Sequence, residues 1–482
     1  MPSDISAASP VLPATKDGQG RVSSREIWSL VWPQALMMMM QFLVGFTDVF
    51  VAGRISPHLQ GILGIITQCQ FCLLVLGMAV VNGGLAAMSQ SLGARLPLRT
   101  RRYVGLLFKL SATFCLLTLG FGLILQRQIL GALHVPEEIF PLTLELWELY
   151  LGAMPASYLA FTTTAVFRAH KQVGVPLISI LLVCIINTLG DFGLGLGMFG
   201  MPDMGGRGLV WASILSVSAG ALFNLAVLVS RRMVTAGSFA PWRWEKRAVP
   251  YIVRVALPAG CSQFLWQLGH LALIFITATL PENSVSAVAG LTAGMRVESF
   301  LFLPAMSFSF TGSILVGRCL GAGNLSEAKR VGLRVVSAGA LSMTLTALAL
   351  LPFVREIAAF VSPESTAVQE VSASYMTYNF LATPCTMVSM IMSGIFTGAG
   401  ATYFSLITFS CSTWLLRLPL AWYMGHTVWR AAAGVFIAMP ISQFVQASLC
   451  IYLFLYRDWY RFSSTAKRFR RSSGAATRTF VK

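Results

Sequence analysis

The sequence predicts an all-α polytopic membrane protein, with twelve transmembrane helices in two parallel six-helix repeats around a central cavity. Three observations predict it. The 482-residue chain is 56% hydrophobic and only 11% charged, with a mean hydropathy of +0.71, whereas a soluble chain carries roughly a quarter charged residues. Apolar runs near the ~20 residues a spanning helix needs recur along its whole length. The pattern of the first half also returns in the second, at an offset of about 228 residues.

Taken in order, residues 1–26 are polar and lack the apolar core of a signal peptide, so they read as a cytoplasmic tail before a retained first span. Spans 1–6 follow near 27–53, 61–85, 104–125, 142–166, 175–196 and 208–230, an N-lobe over 27–230. A basic, Trp-containing stretch at 231–249 reads as a cytoplasmic linker. Spans 7–12 follow near 250–279, 287–316, 332–354, 370–396, 403–424 and 431–456, a C-lobe over 250–456, and 457–482 is a basic cytoplasmic tail.

The net charge of +17 is distributed by topology. Basic residues crowd the tails and inner loops: Arg95, Arg99, Arg101 and Arg102; Arg231, Arg232, Arg243, Lys246 and Arg247; Lys467, Arg468, Arg470 and Arg471. The outer loops carry only Arg54, Arg127, Arg207, Arg355 and Arg430, while Arg296 and Arg417 fall inside spans. That asymmetry is the positive-inside signature, which puts both termini in the cytoplasm. A bacterial inner membrane is the expected location and a monomer the expected state. The basic tail suits anionic lipid headgroups, and nucleic acid is not an expected partner. The nine cysteines are scattered; Cys69 and Cys72 form a CxxC at the head of an apolar span without a second pair, which reads as packing.

The repeat is legible residue by residue. MAVVNGGLAAMSQSLGA at 78–94 lines up with MSFSFTGSILVGRCLGA at 306–322, and AVFRAHKQVGVPLISI at 165–180 with GIFTGAGATYFSLITF at 394–409. Pro33, early in span 1, has a counterpart in Pro258, early in span 7. Each half has an even number of spans, so both enter from the same side; such parallel repeats rock about a central site. The chain has no HExxH on a span, no P-loop, no suitably placed GxSxG and no sizeable soluble domain. A carrier driven by an ion gradient is the economical reading, and neither enzymatic chemistry nor a cofactor is expected.

Span 1 carries two residues that hydrocarbon tolerates poorly. On a helix, residues seven apart drift only about 20°, so Gln34, Gln41 and Asp48 share one stripe. A charged acid at membrane depth faces a cavity or a partner. Span 5 offers that partner: Asn187 and Asp191, four apart, lie on one side of their helix. Two acids in an apolar, partly dry cavity are not expected to be ionised together, since desolvation and mutual repulsion favour a bound proton. The competing reading makes Asp191 a local cap. Pro33 removes the N–H that would bond Ser29 O and so weakens one turn; it is either a bending point or a static kink.

The second half has no acid matching Asp48. Span 7 instead aligns Gln263, Gln267 and His270 on one face, a polar cavity wall or, for His270, a packing residue. Glu298 in span 8 is either half of a structural pair with Arg417 or a substrate or ion contact. Met37 to Met40, Met387, Met390 and Met392, with Tyr375, Tyr378 and Phe396, suggest a soft wall for lipophilic cations.

Several motifs, in this order, carry a resemblance: Pro33, Asp48 and Gly53-Arg54; SLGAR at 91–95; FRAH at 167–170; NTLGDFG at 187–193; MRVESFLFLPAMSFSFTGS at 295–313; VGRCLGAGNLSEAKR at 316–330; and LRLPLAW at 416–422. Together they resemble the multidrug and toxic compound extrusion (MATE) transporters, nearest their DinF-like branch. The chain departs from that pattern where His170 and Lys171 follow Ala169, and where the run Thr162 to Thr164 replaces a frequent asparagine. The resemblance implies that Asp48, Asn187 and Asp191 form an ion-coupling network, that span 1 bends at Pro33, and that Ser213 stands where relatives place a threonine. It implies a secondary antiporter exporting amphipathic, often cationic small molecules in exchange for protons. Sodium coupling, a lipid-intermediate flippase and a non-transporting scaffold stay open as alternatives.

Overall fold

The computed structural model describes residues 22–133, 135–363 and 365–464. Most of the two expected tails, including Lys467, Arg468, Arg470 and Arg471, lies outside them. Eleven helices are long and apolar enough to cross a membrane: Ser24–Ile55, Pro57–Gly93, Pro97–Ile124, Gly174–Leu196, Gly206–Ser230, Trp242–Ala278, Ser284–Gly321, Leu325–Val361, Thr366–Ala399, Thr402–Val428 and Ala432–Tyr456. These are spans 1–3 and 5–12. Span 4 is the twelfth and is broken into Phe140–Leu151 and Met154–Ala169. Gly152 and Ala153 form the joint, and Pro155 opens the second piece, where its missing N–H costs nothing.

The helices outrun the expected spans where amphipathic turns continue past membrane depth. Span 7 begins at Trp242, inside the expected linker. Its first turns are held by Glu245, which pairs with Lys109 Nζ at 2.6 Å, and by Trp244, edge-on to Tyr103 at 5.1 Å. Span 11 changes winding twice, with wider π turns at Cys411–Arg417 and Met424–Val428 flanking the α turn Leu418–Tyr423. Pro419, which cannot donate to the turn before it, sits directly after the first.

The two six-helix repeats match in backbone detail. At the end of span 2, Arg95 N bonds Leu92 O and Leu96 N bonds Ser91 O; at the end of span 8, Gly323 N bonds Leu320 O and Asn324 N bonds Cys319 O. The left-handed residues correspond too: Arg95 with Gly323, and Lys171 after span 4 with Gly400 after span 10. A glycine takes that conformation freely, whereas Arg95 and Lys171 adopt it at some cost.

The repeats meet in one half of the bundle, toward the face that carries residue 22 and residue 464. There Gln34 Nε2 donates to Thr311 Oγ1 at 3.0 Å, Val22 N to Glu327 Oε1 at 3.0 Å, and the Arg168 guanidinium lies 4.0 Å over the Phe310 ring. Small residues allow the close approach: a Cβ on Gly83 would sit 2.8 Å from Ile252 O. At mid-depth Phe42 meets Phe300, ring centroids 4.6 Å apart. Beyond that level, toward the opposite face, no hydrogen bond or ion pair joins the repeats among the described residues.

Candidate functional site

Span 1 continues as helix through Pro33, which is buried, and delivers Asp48 into the first repeat. Span 5 presents Asn187 and Asp191 from one face, both fully buried. The heptad geometry of span 1 and the four-residue spacing of span 5 converge: the Asp48 carboxyl faces Asp191 and Asn187 closely enough to interact with both. Span 6 closes the group, with Asn187 Nδ2 pointing at Ser213 Oγ at 3.5 Å. The last turn before the break in span 4 adds Tyr150, 5% exposed, whose hydroxyl lies within electrostatic reach of Asp48, Asp191 and Ser213. Sequence reasoning missed Tyr150; its one signal was a polar-tipped aromatic just before Gly152, where a broken helix turns its side chains inward.

The chemistry of this cluster is an excess of acceptors. Asp48 Oδ1, Asn187 Oδ1 and both carboxylate oxygens of Asp191 are buried without a donor among the protein groups. An unmet buried acceptor costs ~1–3 kcal/mol, more when charged. Facing carboxyl oxygens are relieved by a shared proton or by a small hard cation.

The other expected site residues are placed differently. Gln34 does not line the cleft: it is fully buried and spent on Leu30 O and Thr311 Oγ1. The stripe it shares with Gln41 and Asp48 passes from the region where the repeats touch to the open region, where Gln41 is exposed. Gln263 and Gln267 are half-buried on span 7. His270 Nδ1 is 3.0 Å from Trp266 O, and its ring packs on that indole at 4.2 Å.

Tyr375 is not a wall residue in this structure. It is fully buried, edge-on to Phe436 at 5.2 Å, and its hydroxyl donates to Glu298 Oε2. The expected Glu298–Arg417 pairing is indirect, since Arg417 Nε donates to Ser442 Oγ at 2.8 Å and acts on Glu298 only through its field. Met387, Met392 and Phe396 are likewise core, because span 10 is packed on several sides.

The family departures lie elsewhere. Thr162 Oγ1 bonds Ser111 Oγ at 2.7 Å, away from the acids. Lys171 pairs with Glu26; burial and Arg318 hold its ammonium below the ordinary lysine range, with Glu26 opposing.

The MatE family model matches residues 33–192 and 258–423, two stretches that begin at the repeat-related Pro33 and Pro258. The chain is 27% identical to the multidrug resistance protein PmpM of Pseudomonas aeruginosa, over 87% of this chain and 88% of that protein. It is 26% identical to the "Probable multidrug resistance protein NorM" of Thermotoga maritima, over 90% and 93%. Among solved structures it is similar to a mutant of the Vibrio cholerae MATE transporter VcmN, with TM-score 0.82 and 18% identity, covering 90% of this chain and 98% of that one. It is equally similar to a MATE structure in a bent conformation, with TM-score 0.82 and 20% identity, covering 93% and 97%. These structural likenesses speak to the fold.

Proposed function

The chain belongs to the MATE family of multidrug efflux transporters, and from that premise we propose that it exports amphipathic, often cationic small molecules in exchange for protons. The observation that carries the reading is the acceptor-rich pair Asp48–Asp191, flanked by Asn187, Ser213 and Tyr150. We take both termini as cytoplasmic in a bacterial inner membrane, on the positive-inside distribution. The lobes 27–230 and 250–456 then rock about the linker 231–249, and the contacts near residues 22 and 464 close the cytoplasmic side.

In that orientation the side on which no polar bond joins the repeats faces outward, which supports reading the state as outward-facing. A proton entering from outside binds between Asp48 and Asp191, supplies the missing donor and discharges the site. Span 1 then bends at the turn weakened by Pro33, the wall reshapes and cargo leaves. The lobes swing inward, the proton leaves to the cytoplasm, and the carboxylate again favours a cation. An inside-negative potential adds about 2.3 kcal/mol per charge per 100 mV to proton entry.

Sodium is the second reading, favoured by the presence of Asn187 Oδ1 among the unmet oxygens, since hard cations take amide and carboxylate oxygen together. Everted vesicles containing the transporter and a pH-sensitive dye separate the two. Substrate-driven dequenching without sodium supports proton exchange; dequenching or uptake only with sodium overturns it.

A further inference from the structure

Spans 2 and 8 hold equivalent places in the two repeats and cross where the repeats meet. The crossing is itself repeated. A Cβ on Gly93 would sit 2.0 Å from Arg318 O, and a Cβ on Gly321 would sit 2.0 Å from Gln90 O. Each glycine therefore admits the backbone of the opposite helix at a distance no side chain allows. Beside this crossing, Gln90 Nε2 donates to Gly398 O at 2.8 Å, and Arg318 Nη2 donates to Ala169 O at 2.6 Å. Both acceptors lie within the last two residues of their helices, spans 10 and 4, where carbonyls have no partner within the helix. At the repeat offset, Gln90 corresponds to Arg318, Gly93 to Gly321 and Ala169 to Gly398.

We propose that Gln90 and Arg318, with Gly93 and Gly321, form a reciprocal latch. Each repeat sends one donor onto an orphan helix-end carbonyl of the other, and both bonds must break for the lobes to part at this face. The arms are unequal. Gln90 is fully buried, and its Oε1 also accepts from Ser463 Oγ at 3.1 Å and Ser464 N at 2.8 Å, so the segment after span 12 folds over the neutral arm. Arg318 is the charged arm, and a cation at a helix C-terminus is favourably placed, but it stands beside Lys171, with Glu26 offsetting that repulsion. The latch rests on alternating access between the lobes and is indifferent to which ion drives it.

Cys319 is a native reporter. It is 9% exposed, adjoins Arg318, and lies within electrostatic reach of Lys171 and Glu26 from the other repeat. The full-length transporter in nanodiscs is treated with N-ethylmaleimide, and labelling at each cysteine is followed by peptide mass spectrometry; the buried Cys115 and Cys450 are controls for general unfolding. Gln90→Met removes a donor at similar length, Arg318→Met removes the charged donor, and Arg318→Lys keeps a cationic donor on a long stem. Each Met variant is expected to label Cys319 about tenfold faster, equivalent to ~1.4 kcal/mol, with Arg318→Lys closer to wild type than Arg318→Met and the controls unmoved. Removing a cation beside a thiol slows its alkylation, so the rise in Arg318→Met cannot come from that. Unchanged Cys319 labelling in both Met variants, a rise shared by Cys115 or Cys450, or Arg318→Lys labelling as fast as Arg318→Met would each overturn the latch. None of these outcomes depends on an export assay, so failure of the latch is distinguishable from failure of proton coupling.

Discussion

Asp191→Asn is expected to stabilise the protein while abolishing export. In the wild type, Asp48 Oδ1 and both Asp191 oxygens are buried with no donor from the protein. The asparagine amide brings two N–H donors into the place of one of those oxygens, aimed at Asp48. Satisfying one buried acceptor is worth ~1–3 kcal/mol, and removing one of two facing acids adds to the gain. The assay is thermal unfolding of purified wild type and variant in detergent, at alkaline and at mildly acidic pH. At alkaline pH, where the wild-type pair loses its shared proton, the variant should melt higher by a few degrees; at acidic pH a proton on the wild-type pair supplies a donor of its own, and the gap should narrow. Ethidium export from cells should fall to the level of cells lacking the transporter. A variant that melts lower at both pH values, or one that exports normally, would refute the reasoning.

Three further outcomes follow from the same structure. Asp48→Asn should abolish export while membrane fractionation shows normal insertion; wild-type-like efflux would remove Asp48 from the coupling site. Pro33→Ala restores a donor to Ser29 O and should slow turnover with little change in substrate affinity, seen as a fall in maximal rate at constant half-saturation. Tyr375→Phe strips the donor from Glu298 and should cost ~1.5–3 kcal/mol, a hydrogen bond to a charged group, read as a lower melting temperature; an unchanged melt would mean that bond carries no stability.

The spans, the repeat and the meeting of Asp48 with Asn187 and Asp191 were legible because each depends on local spacing: apolar run length, a fixed offset, and the helical period on spans 1 and 5. What the period cannot supply is a partner. Gln34 sits on the same stripe as Asp48, yet the stripe crosses from a zone where the repeats touch to a zone where they part, and Thr311 claims it. Tyr375 belongs to an apparently soft wall, but its hydroxyl is taken by Glu298 across two spans. Tyr150 was hidden by the break at Gly152, which a continuous apolar count over 142–166 passes over. The π turns of span 11 were equally invisible, since Pro419 marks a missing donor and not the wider winding on either side of its turn.

The most direct test of the account is a proton count in everted vesicles made with wild type and with Asp48→Asn, under an imposed pH gradient and without sodium. Ethidium should dequench the pH dye in wild-type vesicles and leave it unchanged in those carrying the variant. Equal dequenching in both, or a wild-type response that appears only on adding sodium, would contradict a carboxyl pair that carries the proton.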